Sequence, residues 1–225
     1  MKLGNMDLAF FDKIRTRKKT HTVKQQILIT MGVLLFGFCL GTFSKYLEYQ
    51  PKALPLPYLL DVIDSTLDFH NFLSTLTPWL FIAVCTAIYS HTPVRAAINV
   101  FVFFAGMVSG YYLYCNFVAG FFPKSYAMIW IGLTILSPFL AFICWYAKGK
   151  GAAALVISAG ILSFFINCAF SFRGFYIFVS PYWLDMIIFL AGLFILRRPV
   201  KEMAVMIGVG IVFAVVFESV IPFGI

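Results

Sequence analysis

Few residues in this chain can do chemistry, because only 12% of its 225 residues are charged. Asp185 is the most pointed of them. It follows Ser180, Pro181, Tyr182, Trp183 and Leu184 and leads into Met186, Ile187, Ile188 and Phe189. A carboxylate within hydrocarbon must be protonated, face water or bind a cation, since a bare charge there is costly. The chemistry it offers is a step in a proton, ion or ligand pathway. The plainer reading is a hydrogen bond to a neighbouring helix. Glu218, Lys45 and Arg173 lie toward the ends of apolar runs, and Asn116 and Asn167 fall inside two of them. An internal pair of Glu218 with Lys45 or Arg173 would offset the desolvation of both partners. These six residues form the candidate substrate-binding set, and no catalytic or metal-ligating residue is assigned.

Asp61, Asp64 and Asp68 are spaced three and four apart, which puts them on one helical face. Asp64, Asp68 and His70 could ligate a metal, but the pattern matches no known ligand motif, and a solvated acidic face or a lid attracting a cationic ligand explains it more simply. Cys39, Cys85, Cys115, Cys144 and Cys168 all fall in apolar runs without zinc or redox spacing. Cys115 and Cys168 could bridge, although five buried small side chains is the plainer reading. There is no phosphate-cradling loop, no dinucleotide glycine fingerprint, no His-Glu-x-x-His and no Gly-x-Ser-x-Gly. No cofactor is expected.

The elements that must position these groups follow from composition. Apolar residues make up 62% of the chain and aromatics 19%, against roughly 45–50% apolar in a soluble domain. A globule of this size could not hide so much apolar surface from water. A soluble enzyme, a disordered chain and a disulfide-stapled domain are therefore excluded. What remains is an all-α, polytopic membrane helix bundle. Seven continuous runs approach the roughly 20 residues a spanning helix needs: 26–46, 71–90, 95–118, 125–147, 151–172, 175–196 and 203–222. Dropping the sixth, which carries Asp185, would leave six.

With seven spans, 13 of the 17 basic residues fall in the N-terminal tail and the turns at 91–95, 148–150 and 197–202. The positive-inside rule then puts the N-terminus in the cytoplasm. Residues 1–25 read as a basic cytoplasmic tail and 26–225 as one transmembrane domain with an external segment at 48–70. The tail's charge suits anionic lipid headgroups better than nucleic acid, which is not expected as a partner. Its long basic region and the absence of a small-x-small site argue against a cleaved signal peptide. The expected location is the inner membrane of a bacterium.

Small residues recur four apart at Gly37 and Gly41, Gly106 and Gly110, Ala154 and Ser158, and Gly210 and Ala214. Such faces allow close helix approach in lipid, within the bundle or against a partner subunit or second copy. Pro78, Pro138 and Pro181 interrupt spans and could kink them. Tyr46, Tyr49, Tyr58, Trp79, Tyr89, Trp145 and Tyr182 read as interfacial belts, whereas Tyr111, Tyr112, Tyr114 and Trp130 could line a pocket.

A cytoplasmic N-terminus, a long first external connection and no nucleotide site give a layout that resembles the small substrate-capture subunits of energy-coupling-factor vitamin transporters. The resemblance is one of architecture and implies binding and passage of a small solute from outside. The rival expectations are a non-catalytic accessory or scaffold subunit of a membrane complex, and an intramembrane lipid-modifying enzyme using Asp185, Glu218 or His70.

Overall fold

The structure is a computed structural model that describes residues 14–16, 22–49, 56–173, 176–180 and 182–220. It is all-α, 84% helical. The helices are α1 (Val23–Glu48), α2 (Tyr58–Leu67), α3 (Phe69–Ser74), α4 (Thr77–Tyr89), α5 (Pro93–Tyr114), α6 (Lys124–Trp145), α7 (Gly151–Ala169), α8 (Trp183–Ile195) and α9 (Val200–Val220). A π turn, Cys115–Ala119, extends α5, and a 3-10 turn, Tyr146–Lys148, extends α6. The strands β1 (Phe170–Arg173) and β2 (Tyr176–Val179) pair antiparallel, with Phe170 opposite Val179 and Arg173 opposite Tyr176.

Among the described residues, five helical stretches are long and apolar enough to cross a membrane: Val23–Glu48, Pro93–Ala119, Lys124–Lys148, Gly151–Ala169 and Val200–Val220. The second and sixth apolar runs are shorter helices than expected. The second breaks at Thr75, whose backbone is extended (φ −78, ψ 167), and restarts with Pro78 in the first turn of α4. Proline is tolerated there because its missing N–H would have had no partner. Pro78 therefore starts a helix and does not kink one. The sixth run begins as β2 and turns helical only at Trp183. Its opening residues, Tyr176, Ile177, Phe178 and Val179, are aromatic and β-branched types that favour strands. Pro181, the other expected interruption, lies outside the described residues.

Local signals explain the helix starts. Thr22 and Gln25 form a capping box at α1, satisfying donors that a helix start leaves orphaned. Thr92 accepts the Arg95 N–H at 3.2 Å, and Pro93 opens α5. Inside α6, Pro138 has no N–H for the Thr134 carbonyl, and the Ser137 hydroxyl donates to that carbonyl at 2.8 Å.

The described residues divide into two compact units, one within 19–142 and the other within 143–225 plus the described residues before Lys18. In the first, the paired glycines of α1 and α5 face each other. A Cβ at Gly37 or Gly41 would strike the backbone of Phe103 or Met107, and one at Gly106 or Gly110 that of Leu34 or Phe38. In the second, Gly210 and the fully buried Ala214 on α9 meet α7, where Gly210 faces Ala159, Leu162 and Ile166. Ala154 and Ser158 are also fully buried. The small-residue faces are thus used inside the units.

The second unit gathers its basic segments at one end. Lys150 N–H donates to the Ile14 carbonyl at 2.8 Å. The Arg15 guanidinium donates to the Trp145 carbonyl and lies 4.2 Å over that indole. Arg198 donates to the carbonyls of Ala147 at 2.6 Å and Gly149 at 3.4 Å. Trp145 is consequently fully buried, and so is Trp79, whose indole N–H donates to the Leu73 carbonyl at 2.9 Å. Neither indole belongs to an interfacial belt. Tyr49, Tyr58 and Tyr89 are exposed as a belt requires.

Candidate functional site

The densest polar cluster within 19–142 is built on Lys45. It sits in the last turn of α1, where a cation is favoured by the helix dipole. The residue is only 2% exposed. Its Nζ donates to Glu48 Oε1 at 2.6 Å and to Tyr111 Oη at 3.4 Å. Tyr111 in turn donates to Glu48 Oε2 at 2.6 Å. The ammonium also lies 5.1 Å from the Tyr111 ring centre and 5.0 Å from that of Phe121, close enough for cation–π attraction. A buried charge needs this degree of pairing, because one left without it would neutralise or unfold its surroundings. The acid that meets Lys45 is its own neighbour three residues on. That i,i+3 spacing was visible in the sequence.

Beside this triad, Ser44, Trp79, Tyr111, Tyr112, Tyr126 and Trp130 enclose a cavity of about 20 Å³, room for roughly one water molecule. The buried hydroxyls of Tyr112 and Tyr114 have no hydrogen-bond partner among the described residues. Three of the four aromatics expected to line a pocket, Tyr111, Tyr112 and Trp130, do so. Leu73, near the end of α3, also lines the cavity. Both Ser44 Oγ (3.4 Å) and Trp79 Nε1 (2.9 Å) donate to the single carbonyl of Leu73. Asn116 is exposed on the π turn after α5.

The other candidates lie in 143–225. Asp185 is 4% exposed and occupies the first turn of α8, not the middle of a span. There it complements the positive end of the helix dipole. Its Oδ2 accepts from Ser180 Oγ at 2.8 Å, and Ser180 Oγ accepts the Tyr182 N–H at 3.3 Å. Glu218 is buried near the end of α9 and accepts the Phe172 N–H of β1 at 2.7 Å. Asn167 on α7 donates to the Ala214 carbonyl at 3.1 Å, while its own Oδ1 is buried without a partner among the described residues. Glu218 and Asn167 thereby tie α9 to the hairpin and to α7. Arg173 ends β1, and its side chain lies outside the described residues.

Two acids of the expected acidic face, Asp64 and Asp68, are spent on the bend between α2 and α3. Asp68 adopts the left-handed conformation (φ 52, ψ 47) between α2 and α3, which aspartate tolerates better than most residues. Asp64 Oδ1 accepts the His70 N–H at 2.7 Å, and the imidazole Nδ1 lies 2.9 Å from Asp64 Oδ2. Among the described residues, no group of three or more His, Cys, Asp or Glu is placed to hold a metal ion. None of the five cysteines is in a disulfide, so Cys115 and Cys168 do not bridge.

Five apolar helices of spanning length define a multi-pass helical membrane protein. Set against protein-family models, curated proteins and solved structures, the chain has no match.

Proposed function

We propose that the chain is a seven-span protein of the inner membrane of a bacterium, N-terminus inside, that binds a small solute from the external side and passes it across. The observation that carries this reading is the Lys45, Glu48 and Tyr111 triad beside unpartnered tyrosine hydroxyls. Ionisable groups at membrane depth are expensive and tend to mark ligand or ion paths. The cavity as it stands holds about one water, so a solute with a charged group would exchange partners with Lys45 or Glu48 and stack its apolar body on the aromatic walls only once the Leu73 carbonyl is released. The double hydrogen bond to the Leu73 carbonyl acts as a latch, and α2 with α3 serves as the lid over the pocket.

Support for seven spans comes from parity. Residues 14 and 15 touch the turn after α6, which favours an even number of crossings between them. With α1, α5 and α6 as three, this reading takes α4 as the fourth. The same turn touches Arg198, and the reading likewise pairs α7 with α8.

The test begins with purified protein in detergent and a panel of amino acids, small amines and water-soluble vitamins, read by thermal stabilisation. A stabilising compound should lose its effect in Lys45→Gln and weaken about tenfold in Tyr111→Phe, the value of a hydrogen bond to a charged group. The same compound should accumulate in reconstituted vesicles. Equal stabilisation of parent and Lys45→Gln would overturn the site, and binding without accumulation would overturn the transport reading.

A further inference from the structure

A second polar cavity, about 300 Å³ in volume, lies between the start of α1, the end of α4 and the start of α5. It is at the opposite end of these helices from Lys45 and does not depend on the solute reading. Arg95 is its only Lys or Arg, and no carboxylate lines it among the described residues. The Arg95 Nη2 donates to the Gln26 carbonyl and to Thr30 Oγ1, both at 2.8 Å. These neutral acceptors fix the guanidinium without cancelling its charge. They use two of its five N–H groups, leaving those on Nε and Nη1 for another acceptor.

The neighbouring groups point the same way. Asn99, 7% exposed, accepts at Oδ1 from Thr30 at 3.2 Å, which leaves its amide NH₂ as the group with donors to give. Thr86 adds a hydroxyl to the lining, which Ser90 and His91 complete; the Ser90 hydroxyl itself donates to the Thr86 carbonyl at 2.7 Å. A site with one fixed guanidinium that meets no carboxylate among the described residues, beside the Asn99 amide and the Thr86 hydroxyl, suits a compact oxyanion. Arginine's planar fork is matched to phosphate in particular. The rim is different in kind, since Ile29 and Tyr89 are exposed apolar residues. An acyl chain attached to the bound group could pass over them into the lipid.

We propose that this cavity binds a phosphate group, carried by an anionic phospholipid of the adjoining leaflet or by a soluble phosphoester. Full-length protein is delipidated in neutral detergent and examined by native mass spectrometry. One arm offers phosphatidic acid against diacylglycerol. The other offers glycerol 3-phosphate against glycerol. Retention of phosphatidic acid alone assigns the lipid source, and saturable binding of glycerol 3-phosphate assigns the soluble one. In either arm Arg95→Gln should weaken binding about tenfold or more. If Arg95→Gln does not run as a monodisperse species, Thr86→Phe fills the cavity without removing Arg95 and should give the same loss. The proposal is overturned if neither phosphate compound binds above its phosphate-free counterpart. It is equally overturned if binding persists unchanged in folded Arg95→Gln or in Thr86→Phe.

Discussion

At Pro138 the chain breaks its own helix and repairs it within one residue. A carbonyl without a donor costs several kcal/mol in hydrocarbon (on the order of the amide desolvation penalty). The Ser137 hydroxyl removes that cost at Thr134. Ser137→Ala should therefore destabilise the protein by about 1 kcal/mol, the usual worth of such a bond in a membrane helix. In a Pro138→Ala background the backbone N–H returns, and the same serine substitution should cost little. A double-mutant cycle on unfolding in detergent measures the difference, and equal penalties in both backgrounds would refute the repair. The two residues stand side by side in the sequence, but read alone they look like a hinge. Lys45 shows the same limit. Its type and depth were legible, and so was Glu48 three residues on. The third member, Tyr111, was not legible, because only the packing of α5 against α1 brings it within reach.

At the scale of elements, small residues matter only where another backbone approaches. Gly41 and Gly106 sit against the opposing helix, whereas Gly132 and Gly208 have nothing within 4 Å of where a Cβ would stand. Gly41→Leu or Gly106→Leu should force α1 and α5 apart and cost about 1–3 kcal/mol or prevent folding. Gly132→Ala and Gly208→Ala should be neutral or raise stability by up to about 1 kcal/mol, since alanine favours the helix. Melting temperatures of the four variants in one detergent decide the matter, and an unharmed Gly41→Leu would contradict the close crossing. The four-residue spacing announced these faces, but sequence could not tell an internal crossing from a partner's. The five long spans were equally legible, because twenty continuous apolar residues have few alternatives in lipid. The two short ones misled for a physical reason. Apolar content sets burial in lipid and says nothing about hydrogen bonding. Pro78 and the strand-forming run Tyr176–Val179 change the backbone without changing hydropathy.

For the whole molecule the open quantity is how often the chain crosses. The two short helices, α4 and α8, have 13 residues each, about 20 Å of helix against a hydrocarbon core of about 30 Å. A deficit of that size can be met by local thinning and by flanking structure at fractions of a kcal/mol per ångström (about). The flanks are present: α3 precedes α4, and the hairpin precedes α8. An exposed hairpin edge must find water or a partner, because lipid offers its backbone no hydrogen bonds. That requirement puts Tyr176–Val179 at headgroup depth. Epitopes inserted after Gly149, Gly174 and Arg198, and one at the C-terminus, separate the possibilities in sealed right-side-out vesicles. Seven crossings predict that the Gly149 and Arg198 epitopes are protected, while the Gly174 and C-terminal ones are open to antibody. Six crossings, with α8 left out, would protect the C-terminal epitope and expose the one after Arg198. Five would expose the epitope after Gly149 and protect the one after Gly174. The Arg15 and Arg198 contacts on the turn after α6 make the first pattern the expected one: if all five long helices cross, the three segments share a membrane face when both short helices cross as well.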